Sequence, residues 1–302
     1  MKELVVISGK GGTGKTSLVA SLAALSGKSV LADCDVDAAD LHLVIEPKVL
    51  KSEEFFSGKV AVIDTDKCTG CGICMDSCRF DAISELGVTD NSQVTLFKVD
   101  AIACEGCGVC EYVCPEDAVA LVDSKSGDWF ISETRFGPMV HAKLGIAAEN
   151  SGKLVALVKT NARRIASENG IDLVIVDGSP GTGCPVISSI TGADLVLIVT
   201  EPTMSGHHDL SRVVELTKHF NIPAIVCVNK WDINTAVFNN IRTWCNEHGI
   251  EMTGNISYNE SVTKAQIAGL SIIEYSYEGN ISSEIKQVWE TVCNKLQLAE
   301  SL

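Results

Sequence analysis

The chain has 302 residues, of which 46% are hydrophobic and 21% are charged, and its formal net charge is −15 at pH 7. So acidic a chain is unsuited to non-specific binding of nucleic acid or anionic lipid, because both carry negative charge. No apolar run is long enough to span a membrane and no signal-like flanks precede the first apolar segment, so we expect a cytoplasmic protein. The length allows one large α/β domain and a small additional module.

The first predicted elements are a strand, a helix and a second strand. Leu4–Ser8 is a short apolar run that predicts a buried strand, and residues 15–25 follow as a helix that ends before Gly27. Residues 29–32 predict the second strand, which leads directly into Asp33. A strand, a crossover helix and a strand in this order form a parallel βαβ unit, which indicates an α/β domain.

A glycine-rich loop, Gly9–Thr16, joins the first strand to the helix and matches the pattern G-x4-G-K-[ST]. Such a loop wraps around phosphate, and its N–H groups and those of the helix N-terminus face the anion. We expect Lys15 to reach the β- and γ-phosphates of a nucleotide and the Thr16 hydroxyl to ligate Mg2+. The loop residues that complete the predicted nucleotide site are Gly11, Gly12, Thr13 and Gly14.

Residues 58–123 interrupt the α/β pattern with cysteines, glycines and short alternating segments. The spacing C-x2-C-x2-C-x3-C occurs there twice, 36 residues apart, and is typical of bacterial-type ferredoxins that hold two 4Fe–4S clusters. The two runs are Cys68, Cys71, Cys74 and Cys78, and Cys104, Cys107, Cys110 and Cys114. We therefore predict a ferredoxin-like module at residues 58–123, inserted into an α/β domain formed by residues 1–57 and 124–302.

The fourth cysteine of such a run ligates the cluster of the other run. One predicted ligand set is therefore Cys68, Cys71, Cys74 and Cys114, and the other is Cys104, Cys107, Cys110 and Cys78. Zinc is a poorer interpretation, because a tetrahedral zinc site usually takes two C-x2-C pairs. Pro115 follows the second run as in ferredoxins, but Arg79 follows the first, where a cation should raise the potential of the neighbouring cluster.

The α/β pattern resumes near Val140. Apolar periodicity predicts a long helix over residues 151–169, with Leu154, Leu157, Val158, Ala162, Ile165 and Ala166 on its buried face. Buried strands are predicted at Leu173–Val176, Leu195–Thr200 and Ala224–Val228, and helices at residues 209–220, 236–248 and 282–298. The predicted fold class is an α/β P-loop NTPase with a mostly parallel sheet flanked by helices, plus the inserted α+β ferredoxin module.

Lys10 follows the first glycine of the loop, and with it the loop resembles the deviant Walker A motif, K-G-G-x-x-K-[ST], of the MinD/ParA/Mrp and nitrogenase iron protein superfamily. Residues 33–37 are similar to the family's switch I aspartates, and residues 173–183 to its Walker B and switch II segment. The runs F-G-P-M-V-H-A and E-P-T-x-S-G-H-H-D-L extend the resemblance to members that carry an inserted ferredoxin domain.

This resemblance implies a role for each matching side chain. Lys10 would reach across a dimer interface to the nucleotide of the partner protomer. Asp35 would orient the attacking water, Asp33 would belong to the Mg2+ shell, and Asp177 would hold a water on Mg2+. Together with Lys15, these residues would form the catalytic machinery of a P-loop ATPase.

The base-binding segment leaves two nucleotides open. Residues 229–232 read N-K-x-D, and in regulatory GTPases a carboxylate at the position of Asp232 reads guanine. In the MinD/Mrp family the residue that corresponds to Asn229 contacts adenine instead. The resemblance of the loop to the ATP users favours ATP, with GTP as the alternative.

The resemblance implies an ATP-dependent homodimer that hydrolyses ATP slowly without a partner protein. The insert begins about twenty residues after Asp35, so we expect it beside the switch region, where closure of the dimer would couple to electron transfer or to cluster transfer to an acceptor protein. Two alternatives remain: a nucleotide-switched electron carrier without significant turnover, and a ParA/MinD-like positioning ATPase with a redox-sensing insert.

Four further residues stand out. Cys184 follows the switch II glycines, where two protomers could share a metal. His207 and His208 lie in a strand-end loop, where they would contact the nucleotide or cap the helix at Asp209. His141 is predicted to be satisfied by a backbone partner.

Overall fold

The structure is a computed structural model that describes residues 1–88, 95–145 and 151–298. The described chain divides into two compact units. The first comprises residues 1–53, 129–143 and 151–298, and the second comprises residues 54–88, 95–128 and 144–145. The predicted insert, residues 58–123, lies within the second unit except for residues 89–94, which fall outside the described residues.

Eleven strands and eleven α-helices make up the described chain. The strands are β1 (Lys2–Ser8), β2 (Val30–Asp33), β3 (Lys48–Ile63), β4 (Ile83–Val88), β5 (Thr95–Val99), β6 (Val119–Thr134), β7 (Gly137–Leu144), β8 (Leu173–Pro180), β9 (Leu195–Thr200), β10 (Ala224–Asn229) and β11 (Glu251–Ile256). The helices are α1 (Lys15–Leu25), α2 (Leu41–Ile45), α3 (Ile73–Asp76), α4 (Val109–Tyr112), α5 (Ser151–Glu168), α6 (Cys184–Ile190), α7 (Met204–His219), α8 (Thr235–Glu247), α9 (Glu260–Ile267), α10 (Ile272–Tyr275) and α11 (Asn280–Leu296).

The main sheet has the order β11-β10-β9-β1-β8-β2-β7-β6-β3. Strand β1 lies between β8 and β9 and is parallel to both, and β2 is parallel to β8 and β7. The central strands are almost entirely apolar because helices cover both faces of a parallel sheet. The register sets Asp177 of β8 beside Asp33 of β2, so both carboxylates leave the sheet at the edge where parallel strands end.

Most predicted elements of the α/β domain are confirmed to within a few residues. The prediction for α7 was wrong at its start: the helix begins at Met204, five residues before Asp209. The reason is a cap, because the Thr203 side chain accepts a hydrogen bond from the N–H of Gly206 at 2.9 Å. In α5 the buried face includes Val155 and Lys159, whereas Leu157 is only partly buried.

A buried ion network joins β1 to α5, and the sequence pattern did not predict it. Glu3 and Lys159 are both nearly inaccessible, and their side chains lie 2.9 Å apart. Arg163 binds the same carboxylate through two nitrogens, at 2.6 and 2.9 Å. Lys159 also donates to the carbonyls of Ser189 and Thr191. The network therefore ties the sheet, α5 and the end of α6 together.

The second unit repeats one backbone frame twice. The N–H of Asp64 donates to the carbonyl of Ala118 at 2.7 Å, and 36 residues on, the N–H of Asp100 donates to the carbonyl of Ala82 at the same distance. Each cysteine run contains a four-residue helix, α3 or α4, that is preceded by a left-handed glycine, Gly72 or Gly108. The repeat seen in the sequence is thus a structural repeat.

Candidate functional site

The glycine-rich loop leaves β1 and enters α1 at Gly14, whose φ of 87° is left-handed and suits glycine. The side chain of Asn229, at the end of β10, packs against this glycine and donates to the carbonyl of Thr13 at 2.7 Å. A Cβ at residue 14 would collide with that amide. Asn229 therefore fixes the shape of the loop.

Lys15 is buried among three carboxylates. Its Nζ contacts the Asp177 carboxylate directly and lies 3.5 Å from Oδ2 of Asp35. Burial alone would lower the pKa of Lys15, but Asp177, Asp35 and Asp33 together raise it above its usual value. Lys15 is thus held as a cation at the loop, where a phosphate would bind.

Two of the carboxylates around Lys15 have raised pKa values. Burial and then the charge of Asp177 raise the pKa of Asp33 well above its usual range. The pKa of Asp35 is raised as well, chiefly by burial, although Lys15 opposes the shift. Three acidic side chains around one lysine are an excess of buried negative charge, which a divalent cation would neutralise.

Buried polar atoms without a hydrogen-bond partner also indicate a ligand site at the loop. Within the described residues, four buried side-chain polar atoms have no partner, and three of them surround the loop: Thr13 Oγ1, Asp33 Oδ2 and Asp177 Oδ2. Buried polar atoms rarely remain unsatisfied unless a ligand, ion or water completes them. The loop and the two aspartates are therefore built to receive a polar group.

Lys10 lies outside this buried group. Its Nζ lies 2.5 Å from Oε1 of Glu201, 3.3 Å from Oγ1 of Thr203 and 3.2 Å from Oγ of Ser205. Glu201 also faces Lys230 at 3.6 Å. In this conformation Lys10 is thus engaged by residues 201–205 of its own chain, at the start of α7.

Residues 229–232 support the loop more than they present a base-reading surface. The Nζ of Lys230 donates to the carbonyl of Gly12 at 3.3 Å. One carboxylate oxygen of Asp232 accepts the N–H of Tyr258 at 2.7 Å. The roles predicted for Asn229 and Asp232 toward a base stay predictions.

The eight cysteines of the two runs, which form no disulfide, line two cavities in the second unit. One cavity is lined by Cys68, Cys71, Cys74 and Cys114. The other is lined by Cys78, Cys104, Cys107 and Cys110. Each cavity is therefore lined by three cysteines of one run and the last cysteine of the other. These are the two sets of four that the sequence predicts as ligand sets.

The other residues that line the cavities are mainly apolar. Phe97 and Ile63 are among the residues that line the first, and Phe80 and Leu121 are among those that line the second. Backbone N–H groups point at two of the sulfurs: Ala61 donates to Cys104 at 3.5 Å and Ala118 to Cys114 at 3.3 Å. Over residues 1–88, 95–145 and 151–298, no group of three or more His, Cys, Asp or Glu is placed to hold a single metal ion.

The remaining candidates lie apart from these sites or contact other groups. Cys184 is exposed at the first residue of α6. His207 and His208 lie inside the first turns of α7. Thr203 caps this helix, so the predicted capping role of the two histidines is wrong. His207 packs edge-on against Trp244. The partner of His141 is the hydroxyl of Ser132 at 2.8 Å rather than a backbone group.

Comparison with known proteins identifies relatives of this chain. Uncharacterized protein MJ0578 of Methanocaldococcus jannaschii is 39% identical over 236 residues, which are 77% of this chain and 79% of that protein. Uncharacterized protein MJ0579 of the same organism is 25% identical over 299 residues, covering 94% of this chain and 97% of that protein.

Among the described residues, no helix combines the length and apolar character needed to cross a membrane.

Solved structures share the fold. MinD from Pyrococcus horikoshii OT3, complexed with Mg-ADP, aligns with a TM-score of 0.57 and 17% identity over 100% of this chain and 99% of that one. The Cyanothece McdA(D38A)–ATP complex aligns with a TM-score of 0.53 and 18% identity over 100% and 98%. A family model described as the CobQ/CobB/MinD/ParA nucleotide binding domain matches residues 4–272. The chain therefore belongs to the CobQ/CobB/MinD/ParA family of P-loop nucleotide-binding proteins.

Proposed function

We propose that this protein is an ATP-hydrolysing iron–sulfur protein, in which an ATP-dependent homodimer controls electron transfer or cluster transfer to a partner protein. The observation that carries the proposal is the pair of cysteine-lined cavities in a chain that also has a P-loop nucleotide site. A MinD-type ATPase needs no such cavities to bind and hydrolyse nucleotide. Their presence favours a redox or metallocluster function over nucleotide switching alone.

The cavities fit 4Fe–4S clusters in their chemistry. Each offers four thiols, the soft ligands that iron–sulfur clusters require, within an apolar lining. The N–H groups aimed at the sulfurs of Cys104 and Cys114 would stabilise the charge of bound thiolates. Cys68, Cys71, Cys74 and Cys114 would hold one cluster, and Cys78, Cys104, Cys107 and Cys110 the other. Such clusters supply one-electron transfer.

The nucleotide site fits Mg-ATP. Lys15 would exchange its contact with Asp177 for the phosphates, because a phosphate accepts strong charge-assisted hydrogen bonds from a lysine. Asp33 and Asp177, each with an unsatisfied oxygen, would receive Mg2+ through water, together with the hydroxyl of Thr16. Asp35, partly exposed beside Lys15, is the carboxylate placed to orient an attacking water.

Nucleotide binding would also redirect Lys10. The side chain is now held by Glu201, Thr203 and Ser205 of its own chain. In a face-to-face dimer it would leave these groups for the nucleotide of the partner protomer. The switch in partners would make dimer formation depend on ATP, because only the phosphates replace the lost carboxylate contact.

Anaerobic reconstitution tests the proposal. We expect about eight iron and eight sulfide per chain. Cys71→Ser and Cys107→Ser should each lose about half of the iron, because the two residues line different cavities. Cys245→Ala, at a buried position of α8 outside both cavities, is the matched control and should keep all of it. Zinc in place of iron, or four irons or fewer in folded wild-type protein, would overturn the two-cluster assignment.

Nucleotide-dependent positioning is the second candidate function. It is favoured by the similarity in fold to the septum site-determining protein MinD. A positioning protein would use ATP to bind a surface or scaffold, and turnover would respond to that surface rather than to the redox state of clusters. ATP hydrolysis measured with and without reductant, and with and without anionic vesicles, separates the two functions.

A further inference from the structure

The two cysteine runs allow an internal comparison, because residues 36 positions apart occupy equivalent places. Before the first run, the N–H of Asp66 donates to the side chain of Asp64 at 3.0 Å. Before the second, the N–H of Ile102 donates to the side chain of Asp100 at 2.9 Å. The two turns have the same hydrogen bond, although one carries Asp66 and the other Ile102. The turn therefore does not require either side chain.

The second run carries exposed apolar side chains where the first is polar. Ile102 is 71% exposed and stands where the first run has Asp66. Tyr112 is 91% exposed at the end of α4 and stands where α3 ends in Asp76. The residues on either side of Ile102 are also apolar: Ala101 and Ala103 stand where the first run has Thr65 and Lys67.

A single exposed apolar residue is ordinary, but both of these residues belong to the same cysteine run. Ile102 and Tyr112 bracket the segment that contains Cys104, Cys107 and Cys110, which line the second cavity. Cys107 is exposed, as is its equivalent in the first run, Cys71. At these two positions the second run therefore exposes an apolar or aromatic side chain where the first run exposes a carboxylate, and Tyr is typical of interface centres.

The charge around this surface identifies the kind of partner. Residues 54–128 contain fourteen Asp and Glu but five Lys and Arg, so nine of the fifteen net negative charges lie in this quarter of the chain. Glu105 and Glu111 are exposed within the second run. Opposite charge steers encounter and fixes orientation, and apolar contact at the centre then holds the complex.

We infer that Ile102 and Tyr112 form the centre of a docking surface through which the second cysteine cavity exchanges electrons with a redox protein that presents a basic face. This inference rests on the proposed function, since it assumes a cluster in that cavity. It adds that the two cavities are not equivalent: the one lined by Cys104, Cys107 and Cys110 serves the partner.

A double variant that gives the second run the character of the first tests the inference. Ile102→Asp with Tyr112→Asp restores the residue type found at Asp66 and Asp76. The probe is a basic c-type cytochrome, reduced by the anaerobically reduced full-length protein in a stopped-flow experiment. We expect the second-order rate constant to fall about tenfold or more in the double variant, with iron content and ATP turnover unchanged.

Leu86→Asp is the matched control, because Leu86 is an exposed apolar residue of the same unit outside both cysteine runs. It adds one negative charge outside both runs and should not lower the rate. An equal rate in the double variant, or a wild type that reduces an acidic redox protein as fast as the basic one, would overturn the inference. A wild-type self-association that the double variant abolishes would also overturn it and assign the surface to a second copy. Wild-type protein without iron would instead refute the proposed function.

Discussion

At the scale of single residues, Lys10 is the side chain whose present contacts differ most from its predicted role. Its three partners, Glu201, Thr203 and Ser205, all belong to the turn that begins α7. The Lys10 side chain remains 32% exposed beside the Glu201 carboxylate at 2.5 Å, so it is accessible for exchange to a phosphate. In the proposed dimer, Glu201 would therefore compete with the nucleotide of the partner protomer for Lys10.

Glu201→Gln should shift ATP-induced dimerisation to lower protein concentration, by about threefold to tenfold, because the competing carboxylate is gone. Sedimentation velocity with a non-hydrolysed ATP analogue measures the shift. Glu215→Gln, an exposed site further along α7, is the control. Lys10→Ala should not dimerise at all. A Glu201→Gln variant that dimerises like the wild type would show that this contact does not oppose closure.

His141 is a second residue with a measurable signature. Burial, and then the charge of His42, lower its pKa to about 4. An unfolded histidine titrates at about 6.5, so between these values the unfolded chain binds a proton that the native protein does not. The contribution is complete above about pH 6.5 and is lost as the pH falls toward 4.

The stability of the wild type should therefore decrease by about 2 kcal/mol between about pH 7.5 and about pH 5 from this residue alone. His141→Gln should lack that part of the pH dependence, whereas His219→Gln, at an exposed site, should retain it. Urea unfolding followed by tryptophan fluorescence is suitable, because all four tryptophans, Trp129, Trp231, Trp244 and Trp289, lie in the first unit. Identical pH profiles for wild type and His141→Gln would contradict the assignment.

At the scale of secondary-structure elements, the ion network of Glu3, Lys159 and Arg163 decides how α5 attaches to the sheet. Removing one partner from a buried pair leaves the other charge uncompensated. Glu3→Gln should lower the free energy of unfolding by about 3 kcal/mol, because Lys159 stays buried without its counter-ion. The exposed pair of Arg164 and Glu168, 3.8 Å apart, is the control, and Glu168→Gln should cost about 0.5 kcal/mol or less.

The same network includes a feature that the sequence pattern could not predict. The apolar strands and most long helices were predictable because their periodicity reports burial. Lys159 was not, since a lysine inside a helix is normally solvated and only the fold brings Glu3 to it. The early start of α7 depends on a single threonine cap, and the edge strand β11, with Glu251, Gly254 and Asn255, has too little apolar pattern to be recognised.

The candidate sites divide in the same way. Loop residues and cysteines carry their chemistry in their spacing, so their grouping was predictable. The contacts of Asn229 with the loop and of Glu201 with Lys10 join segments about 200 residues apart and could only be read from the structure. Their signal in the sequence is no more than a polar residue after a buried strand, which is common in α/β proteins.

At the scale of the whole molecule, the proposed function requires that the nucleotide site and the cysteine cavities influence each other. If closure of an ATP-bound dimer changes the surroundings of a cluster, the reduction potential of that cluster must change. By reciprocity, reduction must then alter the affinity for ATP by the same coupling free energy.

Protein-film voltammetry should therefore give different potentials for at least one cluster with and without an ATP analogue. In Lys10→Ala, which should bind nucleotide within a few-fold of the wild type but not dimerise, the potentials should be the same in both states. Equal potentials in the wild type would indicate two modules that are joined by the chain but not coupled.

The exchange of the last cysteine between the two runs has a consequence for the module as a heritable unit. Neither cavity is complete within one run, because Cys78 lines the second and Cys114 lines the first. A copy of one run alone would leave every site one thiol short. Loss of either run would therefore remove ligands from both proposed cluster sites, so neither half of the module can supply a complete site by itself.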